Sequence, residues 1–282
     1  MEEPSYTSRR GLLNWIIGVG LCGAPMRFPV AKAETTAVPD GLSAPEEVRA
    51  AGAIDGDTFM LSDGGVVRLA GIEAPKPDLA PGDPAMAALA RDATISLTAL
   101  IGAGPLALRS DARPRDRYGR RVAQAFTADG RWLQAALVTQ GQARVHGDPD
   151  NRRGLRALMR LEAEARATRR GLWRHPAFAV RKADDPKLGR LAGSYQIIEG
   201  RVFTAAAVRG MGYINFSADR HTDLTLVLKN PGPDLDLGPG DPGMIGLAWL
   251  TAKRIRCRGW LDLYDGPRID ITHPEQIEVL AD

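Results

Sequence analysis

The sequence predicts an α+β protein with two successive β-rich units, and three observations carry that prediction. Ala53 to Leu61 is strand-like, meets the turn signal Asp63-Gly64-Gly65, and Val66 to Ile72 runs back as the second arm of a hairpin. Helix-like stretches at Ala85 to Leu100, Trp132 to Thr139 and Asn151 to Arg170 are interleaved with the strands of the first half. Beyond a charged, Pro-containing linker, Gln196 to Leu280 returns to strands, five of them with a short helix before the fourth, the order of an OB-type barrel.

Each element has a local cause. The loop Glu73 to Pro84 carries Pro75, Pro77, Pro81 and Pro84, which exclude a helix until Ala85. From there Met86, Leu89, Ile95, Leu97 and Leu100 recur among Ala and Thr. Leu106 to Arg109 reads as a strand, and Arg121 to Thr127 alternates as one before the Ala128-Asp129-Gly130 turn. The third helix turns Leu155, Leu158, Met159 and Leu161 inward and Arg152, Arg153, Arg156, Arg160, Arg166 and Arg169 outward. That arginine face reads either as solvated surface, with Glu162 and Glu164 interleaved, or as a footprint for a phosphate backbone. In the second unit the strands are Gln196 to Arg209, Tyr213 to Phe216, Asp223 to Leu228, Arg254 to Tyr264 and Arg268 to Ile271, with the helix at Gly243 to Thr251.

Length and composition bound the rest. With 282 residues, 44% of them hydrophobic, the chain is long enough for two cores and is no disordered tail. A formal charge of +3 tilts the surface toward anionic partners. Arg9-Arg10 before the apolar run Gly11 to Met26, closed by Ala31-Lys32-Ala33, marks residues 1–33 as an export signal. Its twin-arginine character competes with an ordinary Sec signal and with an uncleaved anchor, and the expected location is periplasmic or secreted. No other stretch has the apolar length of a membrane span. Cys22 would leave with the signal and Cys257 would stay as a buried small hydrophobe, so the mature chain forms no internal disulfide. The predicted organisation is therefore signal 1–33, flexible leader 34–47, first domain 48–176, linker 177–194 and second domain 195–282.

The hairpin concentrates the chemistry. Asp57 on its first arm and Glu73 at the end of its second offer hard oxygen ligands, and with a loop carbonyl they suit a cation such as Ca2+. Arg68 and Arg120 have the planar fork that grips phosphate and meets the charge of phosphoryl transfer. The substrate class indicated is a phosphodiester.

IDGDT at 54–58, VRLAGIEAP at 67–75, DRYGR at 116–120, LVTQGQARV at 137–145 and RRGLW at 169–173 together resemble the staphylococcal nuclease (thermonuclease) family, over about residues 48 to 175. The resemblance implies an OB barrel with three helices and Ca2+-dependent hydrolysis of DNA or RNA. By position it assigns the metal to Asp57, Glu73 and the Ala74 carbonyl, the scissile phosphate to Arg68 and Arg120, and nucleotide contact to Arg117 and Tyr118. Glu73 stands where the family has Asp, and its extra methylene displaces its oxygens by about 1.5 Å or lets it chelate.

The main departure is Lys76. The residue after Pro75 should be the glutamate that activates water, and an ammonium offers no acceptor lone pair. Losing a general base costs roughly 10² to 10⁴ in rate, unless Asp78 substitutes. The turn His146-Gly147-Asp148-Pro149 also lacks the family's stacking tyrosines, and no histidine has metal-ligand spacing. Around the second barrel Tyr213, Phe216, Trp260, Tyr264, Arg254, Arg256, Arg258 and Arg268 suit either single strands or docking. Three readings follow: an exported Ca2+-dependent nuclease of reduced activity, a non-catalytic nucleic-acid-binding protein on a degenerate nuclease fold, and an envelope interaction module.

Overall fold

The computed structural model describes residues 38–102, 104–219, 223–229 and 244–281. The expected signal, with Arg9, Arg10 and Cys22, lies outside them, as does His221. The chain opens with β1 (Glu46–Val48), β2 (Ala50–Ala53), β3 (Thr58–Leu61), β4 (Val66–Leu69) and β5 (Ile72–Glu73). At the tip of the predicted hairpin the Gly65 N–H donates to the Asp63 carboxylate and Gly64 takes φ +84°, so β3 and β4 pair antiparallel with Thr58 opposite Arg68. Neither arm is one strand, however. The first breaks at 54–57, where the N–H groups of Ile54 and Asp55 both donate to the Thr58 carbonyl. Asp57 therefore ends a turn instead of sitting in a strand. The second arm breaks at Gly71, whose φ of +76° frees β5 to pair with a different partner.

After a 3-10 turn at Pro77–Leu79 comes α1 (Pro84–Ile101). Asp83 caps it by accepting the Ala85 N–H at 2.8 Å, and Pro84 opens it at the position where no amide donor is needed. Its buried face is Met86, Ala90, Ala93, Leu97, Leu100 and Ile101, while Ile95 is exposed. Then follow β6 (Leu106–Arg109), β7 (Arg121–Thr127), α2 (Leu133–Thr139), β8 (Arg144–Val145) and α3 (Leu155–Ala167). The strands form a six-stranded sheet in the order β1-β6-β7-β4-β3-β2, and β5 pairs separately with β8. Phe59, Val67, Leu69, Leu97, Phe126 and Leu158 are among the residues that fill the core between sheet and helices. With its three helices this is the α+β, OB-like architecture expected.

The segment before this sheet is tied to it. Arg153 donates to the Asp40 carbonyl, Ser43 pairs with Ser110, and β1 lies antiparallel to β6.

The second β domain contains β9 (Arg181–Lys182), β10 (Ser194–Arg201), β11 (Thr204–Val208), β12 (Met211–Asn215), β13 (Thr225–Lys229), β14 (Arg254–Leu263), β15 (Pro267–Ile271) and β16 (Ile277–Val279), with a 3-10 helix at Met244–Leu250. One sheet runs β11-β12-β13-β15-β14-β10-β9, with β16 added to β14. The single strand expected over Gln196 to Arg209 is two strands. The chain leaves β14 at Arg201 and takes up β12 from Thr204, with Val202 bonding Lys253 and Phe203 bonding Asn215 between them.

Charged residues join the two domains. Glu162 of α3, expected on a solvated face, is 0% exposed: its Oε2 lies 2.9 Å from Arg258 Nη1 and its Oε1 accepts the Val145 N–H at 2.7 Å. Arg258 also reaches Glu278 at 2.7 Å, and Arg152 holds Glu275 at 2.8 and 3.0 Å. The sequence hid the two pairs between the domains, because Glu162 and Arg258 are 96 residues apart and Arg152 and Glu275 are 123 apart. Among the described residues no helix is long and apolar enough to cross a membrane.

Candidate functional site

The site forms where the turn ending in Asp57 meets the loop after β5. Gly56 makes the meeting possible, since a Cβ there would lie 2.5 Å from the Ala93 Cβ of α1 and 2.6 Å from the Ala74 Cβ. Asp57 is fully buried, and protein donors fill both its oxygens. Oδ2 accepts the Ala74 N–H at 2.7 Å. Oδ1 accepts the Thr58 hydroxyl at 2.9 Å and the Lys76 ammonium at 3.0 Å, and lies 3.4 Å from Arg68 Nε. Burial alone would raise the Asp57 pKa, but the charges of Arg68 and Lys76 and the Ala74 N–H outweigh it and hold the carboxyl at about 2.

Lys76 has a second partner, Asp55, whose Oδ2 is 2.6 Å from its Nζ. The other Asp55 oxygen accepts the Asp57 N–H at 2.9 Å and so shapes the turn. Asp55 was not among the residues singled out from the sequence. The signal was present, since it is the first acid of IDGDT, two residues from Asp57.

Arg68 touches Asp57, and its fork also points inward. Its Nη1 donates to the Leu69 carbonyl at 2.6 Å and its Nη2 to the Ile72 carbonyl at 2.7 Å. Glu73 has a different partner from Asp57. Its carboxylate accepts Arg144 Nε at 2.9 Å, because the β5–β8 register sets Glu73 opposite Arg144. Arg144 donates onward to the Tyr195 carbonyl at 3.0 Å and lies over the Tyr195 ring, its guanidinium carbon 4.6 Å from the ring centroid. Burial raises the Glu73 pKa, but Arg144, His146 and Arg68 more than offset it and keep the carboxyl below its ordinary value. Arg144 had no local signal in the sequence, being 71 residues away from Glu73.

Arg117, Tyr118 and Arg120 lie together on the basic turn before β7. Asp116 builds that turn by accepting the Tyr118 and Arg120 N–H groups and by holding Arg120 Nε at 2.7 Å. Tyr118 is 67% exposed, with Arg117 and Arg120 each over its ring. Arg68 is in register with Val122, two residues past Arg120 in the parallel β4–β7 pair. None of the ion pairs or hydrogen bonds of Asp57 or Glu73 involves Arg120.

The donor set does not fit a divalent ion. Asp57 meets two cationic side chains, Glu73 is held by a third, and no group of three His, Cys, Asp or Glu side chains converges among the described residues. In the second domain the basic scatter is largely paired. Arg256 binds Glu199 and Glu278, Arg268 binds Asp270, and Arg258 is buried. Trp260 and Tyr264 remain 55% and 72% exposed. Cys257 is buried, and burial pushes its thiol up to about 12.

A strand-built sheet of this order with three helices is an OB-like fold, and it carries an Asp–Arg pair at its hairpin. Residues 66–175 match the family model for staphylococcal nuclease homologues. No curated protein matches the chain.

Proposed function

We propose that this protein binds nucleic acid, DNA or RNA, on a nuclease-type fold, and that hydrolysis by the Ca2+ route is not its activity. The observation that carries this reading is that the two carboxylates are occupied by different partners: Asp57 accepts from Ala74 and Lys76, whereas Glu73 is held by Arg144. Hydrolysis of this type also needs an acceptor for a water proton, and Lys76 provides none. Strand binding makes smaller demands. The exposed turn with Arg117, Tyr118 and Arg120 offers two guanidinium groups and a ring to a phosphate backbone and a base.

A hydrolytic reading keeps one observation in its favour, the ionised Asp57 beside Arg68. Incubating heat-denatured DNA and an unstructured RNA with the purified protein, in Ca2+ and in EDTA, separates the two. Expected are salt-sensitive binding and no cleavage. Metal-dependent cleavage abolished by Arg68→Ala would establish the hydrolase instead. From the signal-like residues 1–33 we further propose a periplasmic or secreted location, which cell fractionation tests.

A further inference from the structure

We propose that the Lys76 ammonium is a tethered cation that stands in for a divalent metal and closes the centre against one. Lys76 Nζ bridges Asp55 at 2.6 Å and Asp57 at 3.0 Å, joining two carboxylates as an ion between them would. The pairing is not a loose surface contact, because Asp57 is fully buried. Nor is the lysine free to wander. Pro75 and Pro77 flank it, its backbone is extended at φ −122° and ψ 144°, and its carbonyl accepts the Leu79 N–H that closes the following 3-10 turn.

The charges complete the argument. Asp55 and Asp57 bring two negative charges, and Lys76 and Arg68 bring two positive ones, so the cluster is already neutral. A divalent ion would have to displace the ammonium and sit beside Arg68, gaining little attraction for the carboxylates it needs. This inference deepens the proposed function, which it supplies with a metal-independent centre, but its test uses no nucleic acid.

The full chain is titrated with CaCl2 by calorimetry and with TbCl3 by sensitised luminescence, and thermal unfolding is followed in Ca2+ and in EDTA. Expected for the native protein is no saturable binding of either ion at millimolar concentration, and a melting temperature indifferent to Ca2+. Lys76→Met should melt roughly 3–8 °C lower in EDTA and regain the loss in Ca2+. Lys76→Glu should bind Ca2+ at least roughly tenfold tighter than the native chain. Saturable Ca2+ binding by the native protein, or an unchanged melting temperature in Lys76→Met, would overturn the proposal. If either variant fails to fold, the native titrations still decide it. Loss of nucleic-acid binding would count against the function proposed above and leave these readouts intact.

Discussion

Whether a residue at this centre is bound or available depends on where the opposite charge comes from. Glu73 is the clearest instance. The β5–β8 register brings its carboxylate to Arg144, whose side chain is buried and has no other carboxylate partner among the described residues. Glu73→Gln should therefore cost about 3 kcal/mol, since it leaves a buried guanidinium short of a counter-charge. Urea unfolding of the two proteins checks this, with the midpoint falling and the m-value unchanged. A loss below about 1 kcal/mol would show that the Tyr195 carbonyl and ring suffice for Arg144.

Among the elements, the turn at 54–57 sets the position of everything around it. Gly56 lets the turn touch α1 and the Ala74 loop, so Gly56→Ala forces either the helix or the loop outward. The expected loss is about 1–3 kcal/mol, measured by thermal unfolding, with a weakened Ala74–Asp57 hydrogen bond as its local cause. The same turn makes stability pH-dependent. Asp57 titrates near 2 when folded against an ordinary 3.8, so the folded state binds its proton more weakly than the unfolded one. Its contribution, about 2 kcal/mol, is present above pH 4 and is lost as pH falls from 4 toward 2. Glu275, which Arg152 and His273 also hold at about 2 against burial, loses its share over the same range. Chemical denaturation at pH 5, 4, 3 and 2 should show that fall, and Asp57→Asn should flatten part of it.

In the molecule as a whole, the two β domains are joined by charge as well as by packing. Glu162 and Arg258 meet with almost no solvent access, so Arg258→Leu leaves a buried carboxylate with the Val145 N–H and, among the described residues, Arg166 as its one remaining cationic partner. We expect a loss of about 3 kcal/mol, much of it recovered when Glu162→Leu is added, because removing both charges also removes the desolvation cost of burying them. Equal, additive losses in the double variant would disprove the coupling. Binding of strands belongs to the same scale. If guanidinium groups on the basic turn meet phosphates, the logarithm of affinity should fall linearly with the logarithm of salt, and Arg117→Ala should make the slope shallower by about one phosphate contact.

Much of this was legible in order along the chain. Hairpin, helices and the second β-rich region follow from periodicity and turn residues, which act over a few residues, and the family follows from separated motifs. The hairpin suggested Asp57 and Glu73 as joint ligands, whereas the register sets Thr58 opposite Arg68 and leaves Asp57 in the turn with Arg68 and Lys76 as partners. Tertiary structure decided the rest. Gly71 redirects β5 to a partner 71 residues on and so gives Glu73 to Arg144, and the second domain reaches back to bury Glu162. Sequence identified Lys76 as a missing base, whereas the fold shows an ammonium bridging Asp55 and Asp57. Local pattern specifies which elements form; the destination of a buried charge depends on which distant segment supplies its counter-charge, and that is settled only when the chain has closed.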